Sequence, residues 1–209
     1  MIAIIDYGLG NVQAIVNIYK KLKIPVVLAD IESKIEEADS IILPGVGAFD
    51  EAMLELDKSG LRKALDRAVL EDKKPTLGIC VGMQIMAQKS DEGAVQGLGW
   101  FDACVKKFDD AMLTTKPKLP HMGWNSIKIN RHPAAFEGVD VVKGFYFLHS
   151  YYFHCENLED VVATSIYGNE FACVVQKENI YGFQFHPEKS HSNGESIFKN
   201  FANVKNVKI

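Results

Sequence analysis

The stretch Thr76-Leu77-Gly78-Ile79-Cys80-Val81-Gly82-Met83-Gln84 begins as a short apolar run and ends as a helical pattern, with a cysteine at the joint. Residues 76–79 read as a strand buried on both faces, and residues 83–88 as a helical stretch. Between them lies Gly78-x-Cys80-x-Gly82, a nucleophile elbow with sulfur in place of a hydroxyl. A strand that turns sharply into a helix forces the residue at the joint into a strained backbone conformation. Side chains two residues before and after it would collide, which calls for glycine at both places. The turn also sets Cys80 at the positive end of the following helix, where unpaired N–H groups favour a thiolate. The N–H of Val81 then points to where an oxyanion would form. Alone, the five-residue pattern reads equally well as a buried cysteine at a glycine-rich strand end.

The sequence on either side supplies the rest of a sheet. Ile2-Ala3-Ile4-Ile5 is another continuous apolar run, followed by the loop Asp6-Tyr7-Gly8-Leu9-Gly10-Asn11. Val12, Ile15, Val16, Tyr19 and Leu22 recur at the spacing of an amphipathic helix, which Pro25 closes. Val26-Val27-Leu28 and Ile41-Ile42-Leu43 read as strands, and Leu61, Ala64, Leu65, Ala68 and Val69 as a helix. Apolar strands separated by helices predict a parallel sheet covered on both faces, with right-handed crossovers.

The second half changes character. Residues 101–108, 127–129, 145–148, 161–164, 171–175 and 181–185 read as strands with few helices between them. Hairpins and antiparallel additions to the sheet are expected there. Residues 109–120 read as a loop, and Ile197, Phe198 and Phe201 mark a last helix with Gly194 just before it. With no repeat and no low-complexity linker, the expectation is one domain over residues 1–209. Its fold class is α/β, a central, mostly parallel mixed sheet flanked by helices.

Composition narrows the function. Of 209 residues, 47% are hydrophobic and 24% charged, a globular balance that needs no disulfide or metal staple. With 23 Lys+Arg against 27 Asp+Glu the net charge is −4, and no long basic run offers a nonspecific nucleic-acid surface. No apolar run approaches the ~20 residues of a membrane span. The N-terminus shows neither a basic region nor a small-residue cleavage site, so no secretory signal is expected. The cysteines at 80, 104, 155 and 173 form no C-x-x-C pair, which points to reduced thiols in the cytoplasm. No two histidines stand at His-x-x-x-His spacing, so no metal is expected, and no cofactor.

A thiol nucleophile for acyl transfer needs a base, and a group that holds the base. His186 is the best placed of six histidines, at the end of the strand over 181–185 and opening His186-Pro187-Glu188. In an extended segment residues i and i+2 project to one side, and Pro187 fixes the torsion between them. Glu188 can therefore orient the imidazole and stabilise the imidazolium. His132 and His191 lie in polar stretches and read as solvated. Leu43-Pro44-Gly45-Val46-Gly47 follows a strand, and its glycines let backbone approach a substrate or flip a peptide plane cheaply. It could supply a second oxyanion donor, or be an ordinary strand-to-helix turn.

Together, the G-x-C-x-G elbow, the P-G-x-G loop and the late H-P-E resemble the class I (triad) glutamine amidotransferases. More narrowly, the chain resembles the glutaminase subunit of imidazole glycerol phosphate synthase. That likeness rests on residues 5–11, 44–49, 77–84, Pro120-His121-Met122-Gly123-Trp124-Asn125, His149-Ser150-Tyr151-Tyr152 and Gln184-Phe185-His186-Pro187-Glu188-Lys189-Ser190. The resemblance implies a flavodoxin-like fold and hydrolysis of glutamine to glutamate and ammonia. Cys80 would attack the side-chain amide and His186, oriented by Glu188, would protonate the leaving ammonia. The backbone of Val81 and of Gly45, Val46 and Gly47 would hold the oxyanion. Gln84 and the segment His149, Ser150 and Tyr151 would hold the substrate's amino-acid end.

The resemblance also implies a heterodimer with a (β/α)8-barrel cyclase subunit, which receives the ammonia and makes imidazole glycerol phosphate and aminoimidazole carboxamide ribotide. Asn11, Trp124, Tyr151 and Lys189 lie in segments resembling the surface that faces this partner. Two features depart from the pattern. Val81 stands where Leu is usual, and residues 91–102, with Trp100, differ from the common histidine-pathway form. The latter resembles paralogous subunits that supply ammonia for sugar amination in surface polysaccharide synthesis. A stand-alone cysteine hydrolase of another amide and a silent scaffold are the readings outside this family.

Overall fold

The computed structural model describes residues 1–114 and 116–204; Thr115, within the expected loop, and residues 205–209, at the end of the expected domain, lie outside the described residues. In chain order the elements are β1 (Ile2–Ile5), α1 (Val12–Lys21), β2 (Val26–Ala29), α2 (Glu32–Glu36), β3 (Ser40–Gly45), α3 (Phe49–Ser59), α4 (Arg62–Asp66), β4 (Thr76–Cys80) and α5 (Val81–Gln84). They continue with β5 (Lys89–Ser90), β6 (Ala103–Lys107), β7 (His121–Asn125), β8 (Lys128–Ile129), β9 (Phe145–His149), β10 (Tyr151–Cys155), β11 (Val161–Tyr167), β12 (Asn169–Lys177), β13 (Ile180–Phe183) and α6 (His191–Phe201).

The central sheet runs in the order β2-β1-β3-β4-β13-β12-β10-β6-β5. From β2 to β13 every neighbour is parallel, and β12 turns the sheet antiparallel. This is the expected mixed α/β sheet. The apolar runs of β1, β3 and β4 are buried at every residue, as strands covered on both faces must be. Helix α1 buries Ile15, Val16 and Tyr19, and the Tyr19 ring lies 5.3 Å from that of Phe198 in α6. A separate antiparallel ribbon pairs β7 with β9, setting His121 opposite His149 and Trp124 opposite Tyr146.

Several local expectations are corrected. Helix α1 stops at Lys21, before Pro25, where Lys23 takes a left-handed φ of 57°. The helix over 61–69 is split: α4 opens into a wider π turn over Arg67–Glu71. Gly194 lies inside α6 rather than before it, and its lack of a side chain lets the first turn of the helix press on the preceding turn: a Cβ there would sit 1.7 Å from the Pro187 carbonyl oxygen. His191 opens α6 instead of lying in a loop, but it is exposed as expected, and its ring stacks on Trp124 with centroids 5.3 Å apart.

The helix after the elbow is also shorter than its pattern predicts. The carbonyls of Ile85, Met86, Ala87 and Gln88 accept hydrogen bonds from the N–H groups of Leu98, Phe101, Gly99 and Gly97. Those bonds take the place of further helical turns, so α5 is a single turn.

Candidate active site

Four segments meet at the carboxyl ends of the parallel strands: the loops after β1 and β3, the β4–α5 joint, and the residues following β13. In open α/β sheets this is where ligands bind. Cys80 has φ 55° and ψ −113°, a conformation that costs of order 1–3 kcal/mol and turns its side chain out of the strand. The fit around it is close. A Cβ on Gly82 would lie 2.0 Å from the Leu43 carbonyl oxygen, one on Gly45 2.3 Å from the Gly82 nitrogen, and one on Gly78 2.7 Å from the Gly82 oxygen. β3, β4 and α5 thus interlock through three glycines, which seats residues 45–47 beside the sulfur.

Cys80 is 3% exposed and lines a cleft of about 250 Å³ together with Val46, Gly47, Val81, Gln84, Glu92, Pro120, Leu148, His149, Ser150, Tyr151 and His186. The expected oxyanion segment borders this space, with Gly47 at φ +94° and Gly45 in register with Cys80. Tyr7 donates to the Pro44 carbonyl at 2.7 Å and fixes the start of that loop.

His186 and Glu188 are both 2% exposed at their side chains, with Nδ1 of His186 2.8 Å from Oε1 of Glu188. The turn that carries them is anchored to β9. His186 N–H donates to the Tyr146 carbonyl, and the Tyr146 N–H donates to the Ser190 hydroxyl, which donates to the His186 carbonyl. Burial pulls the His186 pKa down. The thiolate charge and hydrogen bond of Cys80, then those of Glu188, outweigh burial and push it up to about 10. Burial raises the Glu188 carboxyl, but the hydrogen bond and charge of His186, then the Asn11 amide, hold it below the ordinary glutamate value.

On the other side of the sulfur, a buried pair of imidazoles supports the cleft wall. Nδ1 of His149 is 2.8 Å from the Tyr151 carbonyl, which can only accept, so Nδ1 carries the proton. Nε2 of His149 then accepts from Nδ1 of His121 at 3.0 Å, and Nε2 of His121 accepts from the Asn125 amide at 3.2 Å. Burial holds both neutral: His121 is lowered to about 4, and His149, with His121 beside it, to about 3.

Gln84 lies in α5, with Nε2 3.0 Å from the Tyr151 carbonyl. The sequence reading omits Gln184, Glu92 and Tyr7 from the site. Gln184 is fully buried and reaches Cys80, and its only sequence signal is a polar residue between Phe183 and Phe185. Glu92 accepts from the Phe49 N–H at 2.8 Å and borders the cleft, in a stretch without periodicity.

Asn11, expected to face a partner, donates to Oε1 of Glu188 at 2.9 Å. Lys189 is exposed with its ammonium 5.6 Å from the Tyr146 ring centroid, and Trp124 is 47% exposed beside His191. The three gather around one turn over 188–191. Trp100 does not line the cleft: its buried indole donates to Asp66 at 2.9 Å. Among the described residues no group of His, Cys, Asp or Glu could hold a metal ion, and no helix is long and apolar enough to cross a membrane.

Residues 3–204 match the family Glutamine amidotransferase class-I. Over 204 residues the chain is 50% identical to the "Imidazole glycerol phosphate synthase subunit HisH" of Bdellovibrio bacteriovorus, covering 98% of this chain and 100% of that one. It is 44% identical to the subunit of the same name from Leptospira borgpetersenii, over 98% of this chain and 100% of that one. It is 41% identical to "Imidazole glycerol phosphate synthase subunit HisH 2" of Pseudomonas aeruginosa, again over 98% and 100%. Among solved structures, a putative GMP synthase subunit from Thermoplasma acidophilum superposes with a TM-score of 0.68 at 25% identity, covering 97% of this chain and 92% of that one. A structure described as a glutamine amidotransferase superposes at 0.70 with 18% identity, covering 97% and 99%, a likeness of fold alone.

Proposed function

This chain belongs to the class-I glutamine amidotransferases, among the HisH subunits of imidazole glycerol phosphate synthase, and on that premise we propose that Cys80, His186 and Glu188 hydrolyse glutamine to glutamate and ammonia. One observation carries the reading: a cysteine in the strained elbow conformation opens on a cleft shared with His186, which is charge-coupled to it and held by a buried carboxylate.

The chemistry follows from the coupling. With Cys80 as thiolate, His186 is held as imidazolium and is the acid at hand. Sulfur attacks the side-chain carbonyl carbon of glutamine, the C–N bond breaks, and His186 gives its proton to the leaving ammonia. In the thioester the sulfur carries no charge, so the influence that most raises His186 is gone. The neutral imidazole can then take a proton from water as it attacks the thioester, releasing glutamate and restoring the thiolate. Glu188 keeps the ring oriented throughout. The N–H of Val81 and the backbone of Gly45, Val46 and Gly47 hold the oxyanion, with the loop aligned only once partner and acceptor are bound. Gln84, Glu92 and the backbone over 149–151 hold the amino-acid end, Glu92 offering charge to the ammonium group.

A subunit of such a synthase acts with a partner. We infer a cytoplasmic heterodimer with a (β/α)8-barrel cyclase that consumes the ammonia in histidine biosynthesis. The surface around Trp124 and Lys189 suits the contact: Met122 and Trp124, two apart on β7, are 60% and 47% exposed. Confinement matters, because free ammonia at neutral pH is protonated and no longer nucleophilic. The departure of residues 91–102 from the common histidine-pathway form favours a second reading, a paralogue feeding sugar amination.

The test is to purify the chain with its co-expressed barrel partner and follow the amide nitrogen of labelled glutamine. Label in the imidazole product supports the histidine pathway. Label in an aminosugar supports the paralogue, and no glutamate release in either assembly overturns the glutaminase.

A further inference from the structure

A chain of hydrogen bonds ends on the nucleophile, and its direction is fixed by a backbone carbonyl. The Tyr151 oxygen can only accept. Nε2 of Gln84 lies 3.0 Å from it and also 3.0 Å from Oε1 of Gln184. The Gln84 amide nitrogen therefore spends both hydrogens, one on Tyr151 and one on Gln184. This leaves the oxygen of the Gln184 amide facing Gln84 and turns its NH2 group toward Cys80, where Nε2 stands 3.8 Å from the sulfur. Flipping the Gln84 amide would set its oxygen against the Tyr151 carbonyl, and flipping the Gln184 amide would set NH2 against NH2. Both glutamines are buried, at 3% and 0% exposure, so water cannot relieve either mismatch.

The sulfur thus has opposed neighbours. The Leu148 carbonyl, at 3.8 Å, is an acceptor that an S–H on Cys80 would reach. An amide N–H aimed at sulfur favours the thiolate. The helix that follows Cys80 is one turn long, so the expected help from its positive end is confined to the free N–H groups of that turn, and the Gln184 amide adds a side-chain donor to them.

We propose that Gln184 is a catalytic residue, its amide locked by Gln84 so that an N–H is always presented to the Cys80 sulfur. The donor stabilises sulfur as it becomes the attacking thiolate, and again when the thioester expels it. Other titratable groups around the sulfur are His186 with Glu188 behind it, His149 on β9, Glu92 on the cleft rim and Tyr7 from the loop after β1. The Tyr7 hydroxyl is already committed to Pro44.

The proposal rests on Cys80 being the nucleophile, yet its test consumes no glutamine. Cys80 is alkylated with iodoacetamide across a pH series in the complex with the barrel partner, and modification is read on the Cys80 peptide by mass spectrometry. Gln184→Met, which keeps length but removes the donor, should shift the pH of half-maximal rate upward, with about tenfold slower labelling on the rising limb. Gln184→Glu keeps the shape, faces sulfur with carboxylate oxygen, and should shift it the same way, so a folding failure of one variant leaves the other to decide. Gln84→Met touches no sulfur but unlocks the amide, and should give a smaller shift in the same direction. A wild-type profile in either folded Gln184 variant would overturn the proposal. Failure of the wild-type complex to release glutamate would instead overturn the glutaminase reading.

Discussion

The Asn11 side chain donates to Oε1 of Glu188 at 2.9 Å, across 177 residues of sequence. The same oxygen receives Nδ1 of His186, while Oε2 is buried without a hydrogen bond. The loop after β1 therefore fixes which carboxylate oxygen faces the imidazole. Removing one hydrogen bond to a charged group costs about 1.5–3 kcal/mol where the loss falls on the acceptor's orientation. Asn11→Ala is expected to lower kcat for glutamine about tenfold with little change in KM, and Asn11→Asp, which sets a second carboxylate beside Glu188, to lower it further. Steady-state kinetics of the two variants check this. An unchanged kcat in Asn11→Ala would remove Asn11 from any positioning role.

His186 is held protonated against burial first by Cys80 and then by Glu188. Cys80→Ala deletes the larger of the two charges. The His186 imidazole should then titrate at lower pH than in the wild type, as followed by NMR of ring-labelled histidine. The same midpoint in both proteins would mean that the sulfur carries no charge in the resting state.

The neutral pair His121 and His149 makes a stability prediction with a definite sign. In the unfolded chain both take up protons as pH falls through about 6.5. In the folded chain they resist until about 4 and about 3. The folded state therefore binds fewer protons in that interval, and stability present above pH 6.5 is lost as pH falls toward 4, at up to about 1.4 kcal/mol per pH unit for each histidine. His186 runs the other way: its contribution is complete below 6.5 and fades as pH rises toward about 10. Tm should pass through a maximum between these limbs. His121→Phe, which keeps a ring between Phe147 and Tyr167, should flatten the acid limb. Equal acid slopes in the two proteins would contradict the assignment.

The elbow glycines differ in kind from glycines that face open space. Gly82→Ala drives a methyl group to 2.0 Å from the Leu43 carbonyl, and nothing flexible can yield. It should cost upwards of about 4 kcal/mol or leave the protein insoluble. Gly60, left-handed at φ +78° but in open space, should cost about 1 kcal/mol as Ala. Urea midpoints compare the two, and similar losses would show that the interlock of β3, β4 and α5 is not tight.

What the sequence makes legible follows from how local the signal is. β1, β3 and β4 are readable because strands buried on both faces need unbroken apolar runs. Cys80 is readable because a strained elbow needs glycines, and Glu188 does lie beside His186, but not through an extended segment as expected: Pro187–Lys189 form a 3-10 turn that brings the carboxylate back to the imidazole. Helix α3 escapes the reading although Phe49, Ala52, Met53 and Leu56 carry the helical spacing. The single turn of α5 cannot be foreseen, since its end depends on N–H groups from residues 97–101 reaching back to its carbonyls. Asn11 and Gln184 are invisible for the same reason, as their meaning lies in partners 177 and 104 residues away.

The central claim is that the Cys80 sulfur forms a bond to the glutamine side-chain carbonyl carbon. Its most direct measurement is the rate of glutamate release by Cys80→Ala assembled with the proposed partner subunit and its acceptor, beside the wild-type complex. Release is expected at the background of an enzyme-free control, with the complex still intact by size-exclusion chromatography. Release within a few-fold of the wild-type rate would contradict it.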